Sequence, residues 1–435
     1  MAIKFPSHGV YNPGYELDRG RYAKVLSRVP EIDRRKPESR GRREPKPLWS
    51  LFVALAVAIL LALPLSLLLS PSAEILPPPV PAGVTYTSHQ RFSIIGNAQF
   101  NNTLFPLNGV VSGNGTASDP YIIEGWDIDS SGDTAIRIMF TDAHYVLRNC
   151  YIHGNGMFWG IYQLKSVNST ICNNTFSGNS DGIIVDQSSN NTVSDNNFSS
   201  NGRGIYLVQT CTNIIVSNNT FNGNSAGINL QASYGNILTD NDLNDDIGIY
   251  LFGSSYHNTV RNNNCSSNGD MGIIIQGSSG NTVTDNNFSH NGYFGIYISQ
   301  GSSYNNISWN KVFNNGDRGI YIQTGSYNRI WNNTFAGNYG GGVQANDAGT
   351  NNWWNTSGSP HGYGNRWSDL TTPDANSDGI VDWSYNLTGS AGAKDYYPLT
   401  TPPVMIPEFG VMQFVVVVLL VATMLIGEAR RRKAS

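Results

Sequence analysis

Short runs of alternating apolar and polar residues recur through the middle of the chain. Residues 279 to 300, SGNTVTDNNFSHNGYFGIYISQ, contain two such runs on either side of a segment rich in Asn and Gly. A period of two residues indicates a strand with one buried face, and the intervening turn formers mark its ends. The pattern predicts many short β-strands joined by tight turns.

These runs repeat every 21 to 25 residues in three registered columns. The first column is a Gly followed by Ile, or by Val in the last case: Gly160, Gly182, Gly204, Gly227, Gly248, Gly272, Gly295, Gly319 and Gly342. The second column is Asn149, Asn174, Asn196, Asn219, Asn241, Asn263, Asn286, Asn310 and Asn333. Two residues after each Asn stand Tyr151, Phe176, Phe198, Phe221, Leu243, Cys265, Phe288, Val312 and Phe335. A leucine-rich repeat would need a leucine-dominated pattern and often a helical return, so the period predicts an all-β parallel β-helix solenoid.

Stacking explains why turn formers are so frequent. In neighbouring coils about 4.8 Å apart, each Asn amide can hydrogen-bond to the Asn above and below it. We expect Gly before each Ile to permit a backbone bend that a Cβ would strain. Nine coils predict a rod of roughly 43 Å, and residues 95 to 145 are expected to add one or two more coils.

Two apolar segments flank the repeats. Residues 48–70 carry no charge over the length of a bilayer core and follow a basic flank, Arg40 to Lys46. By the positive-inside rule this flank stays in the cytoplasm, so the segment is expected to be a transmembrane helix or signal anchor with the repeats outside. A cleaved signal peptide is the alternative. Residues 411–427 are also apolar and precede a basic tail, 428–435.

Pro407, Glu408 and Phe409 stand just before the second apolar segment. The order of this tripeptide, an apolar span and an Arg cluster resembles the C-terminal sorting signal of archaeal surface proteins. That resemblance implies a membrane transpeptidase as a partner, which removes the tail and attaches the body to a lipid. A plain C-terminal transmembrane anchor is the alternative.

The expected organisation places a β-helix between spacers and anchors. Residues 71–84 and 401–410 are proline-rich linkers. The complete division is a basic cytoplasmic tail (1–47), the first membrane span (48–70), a linker (71–84), an N-terminal cap with the first coils (85–132), the repeats (133–350), a C-terminal cap (351–400), a linker with the Pro-Glu-Phe motif (401–410), the second span (411–427) and a second basic tail (428–435).

Composition adds limits rather than a function. The 435 residues have a net charge of only −4, so nothing in the overall balance points to nucleic acid as a partner. The four cysteines fit neither a CxxC metal site nor a dense disulfide framework. About a dozen Asn-X-Ser/Thr sequons, Asn114 and Asn386 among them, agree with an extracellular glycoprotein.

Residues 113–132, GNGTASDPYIIEGWDIDSSG, and the columns after them resemble the NosD-like right-handed β-helix proteins of archaeal surfaces. These are also described as carbohydrate-binding and sugar-hydrolase β-helix domains. Residues 364–399 are similar to the cap that follows such helices. The family includes binding proteins, enzymes and a copper-site maturation factor, so the fold alone does not select an activity. Copper handling is disfavoured because the histidines share no column and the methionines are scattered.

The segment DANSDGIVD matches the start of a calcium loop. Asp374, Asn376, Asp378 and Asp382 would supply oxygens, with Gly379 at the tight turn. The twelfth position is Tyr385 rather than Glu, so a complete site would need Asp369, a carbonyl or water. Structural calcium in the cap is the prediction, and a plain turn is the alternative.

Acids at one repeat position are weak catalytic candidates. Asp195, Asp240 and Asp285 are separated by Asn218 and Asn262, which places the acids about 9.6 Å apart. That spacing is near the limit for an inverting glycosidase, and Arg261 is the nearest basic residue in the pattern. A solvated outer ladder is the alternative.

Tyrosines that follow the Gly-Ile pairs are expected to face outward on one sheet. Such a row could bind the apolar faces of sugar rings, although tyrosine also suits an ordinary strand surface. The candidates are Tyr162, Tyr206, Tyr250, Tyr297 and Tyr321. The sequence therefore predicts an anchored surface protein with a structural, adhesive or glycan-binding role, and an envelope-tethered polysaccharide lyase or glycoside hydrolase is the alternative.

Overall fold

The computed structural model describes residues 85–100, 107–341, 343–356 and 363–401. Both apolar segments, both basic tails and the Pro-Glu-Phe motif lie outside the described residues, as does Gly342. Within the described part, no helix combines the length and the apolar character needed to cross a bilayer. Its helical segments are two short 3-10 turns, Asn97–Gln99 and Asn338–Gly341.

The chain winds through three sheets, and each coil adds one strand to each sheet over most of the repeat region. Sheet I contains Val110–Ser112, Tyr121–Glu124, Tyr145–Arg148, Ser169–Cys172, Thr192–Ser194, Ile215–Ser217, Ile237–Thr239, Thr259–Arg261, Thr282–Thr284, Asn306–Ser308 and Arg329–Trp331. Sheet II contains Thr87–Ser88, Trp126–Asp129, Tyr151–His153, Thr175–Ser177, Asn197–Ser199, Thr220–Asn222 and Asp242–Asn244, and it resumes as Lys311–Phe313, Thr334–Ala336 and Arg366–Trp367. Sheet III contains Phe92–Ile95, Ile136–Thr141, Ile161–Ser166, Asp181–Asp186, Arg203–Val208, Ala226–Gln231, Ile247–Phe252, Met271–Gln276, Ile296–Ser299, Ile320–Ile322 and Ala345–Asp347.

Strand pairing confirms the predicted parallel β-helix. Ile183 pairs in parallel with Ile205, and Ile205 pairs with Ile228, so consecutive repeats are consecutive coils. Eight strands of sheet III belong to the Gly-Ile column, and two earlier strands supply the additional coils that were expected before the repeats. In the last strand Ala345 pairs with Ile320, so Gln344 rather than the predicted Gly342 is in register with Gly319. The exceptions to parallel pairing are in the caps, where Val110–Ser112 meets Tyr121–Glu124 and Tyr385–Asn386 meets Lys394–Asp395 in antiparallel pairs.

The predicted asparagine column is a continuous buried ladder. In each rung the side-chain Nδ2 of one Asn donates to the Oδ1 of the Asn one coil later, at 2.9 to 3.0 Å. The same Oδ1 also accepts the backbone N–H of the earlier Asn. The ladder runs through Asn174, Asn196, Asn219, Asn241, Asn263, Asn286, Asn310, Asn333 and Asn365. These bonds satisfy amides that would otherwise be buried without partners.

At the first coil of the predicted repeats, the structure shifts two of the predicted columns by one residue. The prediction placed Asn149 and Tyr151 in them, but the N–H of Cys150 donates to Asn174 Oδ1, and Ile152 pairs with Phe176. Asn149 instead has a left-handed backbone at the corner, with φ of 53°. The first coil therefore supplies Cys150 and Ile152 to the interior, and both are fully buried.

Two further ladders, which the sequence analysis did not identify, run along the other corners. One links Asn179, Asn201, Asn224, Asp245, Asn268, Asn291, Asn315, Asn338 and Gln344. The other links Asn236, Asn258, Asn281, Asn305, Asn328, Asn352 and Asp347. A chain of amides therefore fixes the coil spacing at all three corners.

The glycines of the Gly-Ile column are required by the close approach of neighbouring coils. The expected reason, a backbone bend that only Gly could adopt, is wrong. None of the described glycines of this column has a left-handed φ. A Cβ on Gly204 would instead lie 2.8 Å from the carbonyl oxygen of Gly227 and 2.5 Å from a ring carbon of Phe221. Any side chain here would push apart two coils and the aromatic column between them.

The core is a set of stacked like residues. Phe176, Phe198 and Phe221 are buried with ring centroids 4.8 Å apart and nearly parallel planes. Tryptophans close the C-terminal end, where Trp367 stacks on Phe335 at 4.7 Å. Trp367 Nε1 donates to Asp395, whose pKa is raised by burial to about 6.

Candidate functional site

The outer face of sheet III differs from those of sheets I and II. Ser, Thr and Asn dominate the outward positions of sheets I and II, as in Thr192 and Asn197. The central outward column of sheet III reads Arg137, Tyr162, Ile184, Tyr206, Asn229, Tyr250, Ile274, Tyr297, Tyr321 and Asn346. The structure thus brings the five predicted tyrosines into one column, with Tyr297 and Tyr321 on adjacent coils.

Apolar residues also occupy the columns beside these tyrosines. Ala226, Ile247 and Met271 follow one another on one side. Val208 and Phe252 lie on the other side, with Gln231 between them. We call this surface, from Tyr162 to Tyr321, the tyrosine face. Outward-facing strand positions are usually polar, so this surface of aromatic and apolar residues is the candidate interaction site on sheet III.

Hydrogen bonds hold the tyrosine rings in place. Tyr162 donates its hydroxyl to Asp186 at 2.9 Å, and Tyr297 donates to Gln323 at 2.7 Å. Tyr206 and Tyr250 donate in the same way to Gln231 and Gln276. In each case the acceptor is on the next coil, so these four rings lean along the axis of the β-helix. Burial and the neighbouring Asp186 carboxylate raise the pKa of Tyr162.

Ring contacts continue along the face. Tyr297 and Tyr321 have centroids 5.6 Å apart, and Phe294 lies 5.4 Å from Tyr321. Tyr250 stacks on Phe252 at 4.4 Å. The guanidinium of Arg203 lies 3.9 Å from the Tyr206 ring centroid. The rings of the tyrosine face are therefore half-buried and held in position by their neighbours.

The predicted catalytic acids lie on a corner, away from this face. Asp195, Asp240 and Asp285 all have left-handed backbones, with φ of 58°, 58° and 61°. A hydrogen bond from Thr239 lowers the pKa of Asp240, with smaller contributions from Asn262 and Arg261, whereas partial burial raises that of Asp285. Asn262 donates to Asp240, so an amide fills the coil between two acids, as the spacing predicted.

A polar hollow near the first coils was not predicted. Its volume is about 530 Å³, and His153 Nε2 lies 2.9 Å from Asp127 Oδ1 within it. Arg91 donates to the backbone oxygen of Asp129 at its edge. Parallel pairing places Asp129 opposite His153, although 24 residues separate them. A histidine paired with a carboxylate, beside an arginine, is an arrangement used in general acid–base catalysis.

Comparison with known families agrees with this architecture. The family model described as right handed beta helix region matches residues 82–243. The model described as periplasmic copper-binding protein (NosD) matches residues 207–372. The chain is a right-handed β-helix protein. No protein with curated annotation matches it.

Several solved structures are similar to this β-helix. A mutant of the periplasmic alginate epimerase AlgG is 15% identical, with a TM-score of 0.41 over 53% of this chain and 73% of the epimerase. The A-module of the Azotobacter vinelandii mannuronan C-5 epimerase AlgE6 is 14% identical, with a TM-score of 0.43 over 62% and 86%. A tailspike mutant of E. coli bacteriophage HK620, in complex with a pentasaccharide, is 15% identical, with a TM-score of 0.36 over 58% and 59%. At sequence identities this low, the similarity indicates a shared fold and nothing about activity.

In the part of the β-helix that the structure describes, no three or more His, Cys, Asp or Glu residues form a group that could hold a metal ion. The predicted calcium loop closes through its own hydrogen bonds. Asp374 accepts from the N–H groups of Asp378 and Gly379, and Asp382 accepts from that of Ala375. Tyr385 donates to Asp369 at 2.8 Å, so the residue suggested as an extra ligand is already engaged. Calcium at this loop stays a prediction.

Proposed function

We propose that this protein binds a glycan along the tyrosine face and presents that face at the cell surface. The observation that carries the proposal is the column of tyrosines along sheet III, set against outer faces of sheets I and II that are polar over most of their coils. A purely structural rod would have no need of this asymmetry.

Saccharides match the chemistry of the face. Sugar rings present C–H groups that pack on aromatic rings, and their hydroxyls bond to amides and carboxylates. The tyrosine face offers both, because Tyr206 and Tyr250 alternate with Asn229, and Gln231 and Gln276 flank them. Since the hydroxyl bonds already fix the rings, binding loses little side-chain entropy. The linear column suits an extended polysaccharide rather than a compact ligand.

The test is a glycan array on the full-length protein, followed by calorimetry with the best ligand. Tyr250→Ala and Tyr297→Ala should each weaken binding roughly tenfold, as expected for loss of an aromatic anchor. Tyr256→Ala is the matched control, because Tyr256 is exposed but lies outside sheet III. Equal affinity in all three variants would refute the proposal.

A second candidate function is cleavage of a polysaccharide, and the polar hollow is what favours it. Asp127 contacts His153 and would orient its imidazole, and Arg91 in the same hollow could bind an acidic group of the substrate. Incubation with acidic and neutral polysaccharides would detect released fragments. His153→Gln should abolish that release if this function holds. A protein that binds glycan on the array and releases no fragment is a binding protein.

We also propose that residues 48–70 anchor the β-helix to the membrane, with residues 411–427 as a second anchor or as part of a cleaved sorting signal. The support is sequence alone: an uncharged apolar span and a basic flank in each case. Membrane fractionation after deletion of either segment tests the anchors. Mass spectrometry of the mature C-terminus distinguishes a retained span from removal near Pro407, Glu408 and Phe409.

A further inference from the structure

The last coils of sheet I carry aromatic residues at corner and outward strand positions that hold none in the preceding coils. Tyr304 and Trp309 flank the strand Asn306–Ser308, and Tyr327 precedes the strand Arg329–Trp331. All three flanking aromatics have left-handed backbones, with φ of 57°, 61° and 58°. A bulky residue is less favourable in this region than Asn or Gly, so aromatic residues at these corners are candidates for a role beyond folding.

Earlier coils show what these positions usually hold. The corner before each sheet I strand contains Asn190, Asn213, Gly235, His257 and Gly280. The outward strand positions contain Thr192, Ser194, Ile215, Ser217, Ile237, Thr239, Thr259, Arg261, Thr282 and Thr284. None of these is Tyr, Phe or Trp. The change to aromatics is confined to the last coils, and folding alone does not require it because Asn and Gly serve the same corners elsewhere.

The aromatic rings assemble into a continuous surface across three coils. Tyr304 stacks on Tyr327 with centroids 5.1 Å apart and planes 12° from parallel. Tyr327 meets Trp353 at 5.9 Å, and Trp353 occupies the coil directly after Arg329. At the other edge, Trp331 meets Trp309 edge to face. We call this set, Tyr304, Trp309, Tyr327, Arg329, Trp331 and Trp353, the aromatic platform.

The platform is accessible and carries a positive charge. Tyr304 is 65% exposed and Trp353 is 37% exposed. The guanidinium of Arg329 lies 5.1 Å from the Trp353 ring centroid. Among the described residues, no carboxylate lies within ion-pair distance of Arg329. Trp331 donates to Asn306 at 2.8 Å, which holds its ring across the surface beside Arg329.

We propose that the aromatic platform is a second saccharide site, specific for a sugar that carries a carboxylate. Stacked rings offer flat apolar surfaces to sugar rings, and an unpaired arginine offers two parallel N–H donors that match a carboxylate. A neutral sugar would leave that arginine unused. This site is on a different sheet from the tyrosine face, and its support is independent of the function proposed for that face.

Calorimetry and tryptophan fluorescence on the full-length protein test the site with three probes: an oligogalacturonate, dextran sulfate and neutral dextran. The oligogalacturonate should bind and change the emission of the platform tryptophans. Arg329→Gln should weaken that binding roughly tenfold, the change expected for loss of a charged anchor.

Substitution at the strained corners separates binding from folding. Tyr304→Asn and Tyr327→Asn install a residue that other coils use at the same corner, so the melting temperature should hold or rise while affinity for the oligogalacturonate falls roughly tenfold. Tyr234→Asn is the control, because Tyr234 is 46% exposed and precedes a sheet I strand outside the platform. Its affinity should equal that of the wild type.

Three outcomes would overturn the assignment. The first is unchanged oligogalacturonate binding in Arg329→Gln and Tyr327→Asn. The second is binding of neutral dextran or dextran sulfate as tight as that of the oligogalacturonate. The third is a platform variant that changes the molecular mass in light scattering without changing saccharide binding, which would make the platform an interface between copies of the chain. Tyr250→Ala distinguishes this site from the tyrosine face, because it should leave oligogalacturonate binding on the platform intact.

Discussion

Replacement of Asp245 by Asn should stabilise the protein, and more so as the pH rises. Asp245 is the single acid among the central rungs of its ladder and is only 5% exposed. Its Oδ1 accepts the backbone N–H and Nδ2 of Asn224, both at 2.8 Å. Its Oδ2 is buried without a partner, at the position where an Asn would donate from Nδ2 to Asn268.

The magnitude follows from the pKa of this carboxyl. Burial, with a smaller contribution from the neighbouring Asp246 and Asp242, raises the pKa of Asp245 to about 7 against the lowering effect of the hydrogen bonds from Asn224. The gap from an ordinary aspartate pKa corresponds to roughly 4 kcal/mol, an upper estimate. Because the folded-state pKa is the higher one, this stability is fully present below about pH 4 and is lost as the pH rises through about 7. Protonated Oδ2 can replace the missing amide donor, whereas the ionised form cannot.

Urea or thermal unfolding at pH 5 and pH 8.5 measures the effect. Asp245→Asn should exceed the wild type by about 1–4 kcal/mol at pH 8.5 and by much less at pH 5. Asp119→Asn is the control, since Asp119 is exposed and belongs to no ladder, and it should change stability little at either pH. A stability gain that is equal at the two pH values, or a loss at pH 8.5, would refute this account of the rung.

Other predictions concern the glycine column, the ladders and the cap. Gly204→Ala should destabilise the protein by several kcal/mol in urea unfolding, because its Cβ would meet a backbone carbonyl oxygen and the Phe221 ring at less than 3 Å. Asn219→Ala should cost about 3 kcal/mol or more, because it removes the donors to Asn241 and to two carbonyls and the acceptor for the previous rung. If the cap loop binds calcium, EGTA should lower the melting temperature of the wild type and not that of Asp378→Asn; no change in the wild type would refute calcium there.

The repeat was predictable because its three columns report physical necessities. A buried Asn needs a hydrogen-bond partner on the next coil, which another Asn supplies, and in the central coils the close contact at the glycine position leaves no room for a Cβ. The columns were mispredicted at Asn149 and Tyr151 because Cys150 holds the ladder position there, and a cysteine has no side-chain amide by which the position could be recognised. The second and third ladders were not predicted because their members lie among other Asn residues in the turns. Spacing alone could not distinguish the buried amides from the exposed ones.

The candidate sites were predictable in proportion to their regularity. The tyrosine column follows the Gly-Ile pairs and could be read directly. The polar hollow could not, since Arg91 and His153 meet only after an antiparallel excursion through Val110–Ser112 interrupts the period. The aromatic platform departs from the repeat at Tyr304 and Tyr327, and such departures show their meaning only when the backbone reveals the strain at those corners.

The internal amides explain how one repeat can carry such different surfaces. Three ladders and a column of rings fix the spacing of the coils from within, so outward side chains contribute little to the register. Outward positions are then free to vary coil by coil, and most hold the Thr, Ser and Asn that a solvated strand prefers. Departures from that background are therefore informative. The tyrosine face departs from Tyr162 to Tyr321, over a length that would suit the extended ligand proposed for it. The aromatic platform departs over three coils only, at the cost of strained corners, as a short anionic segment requires.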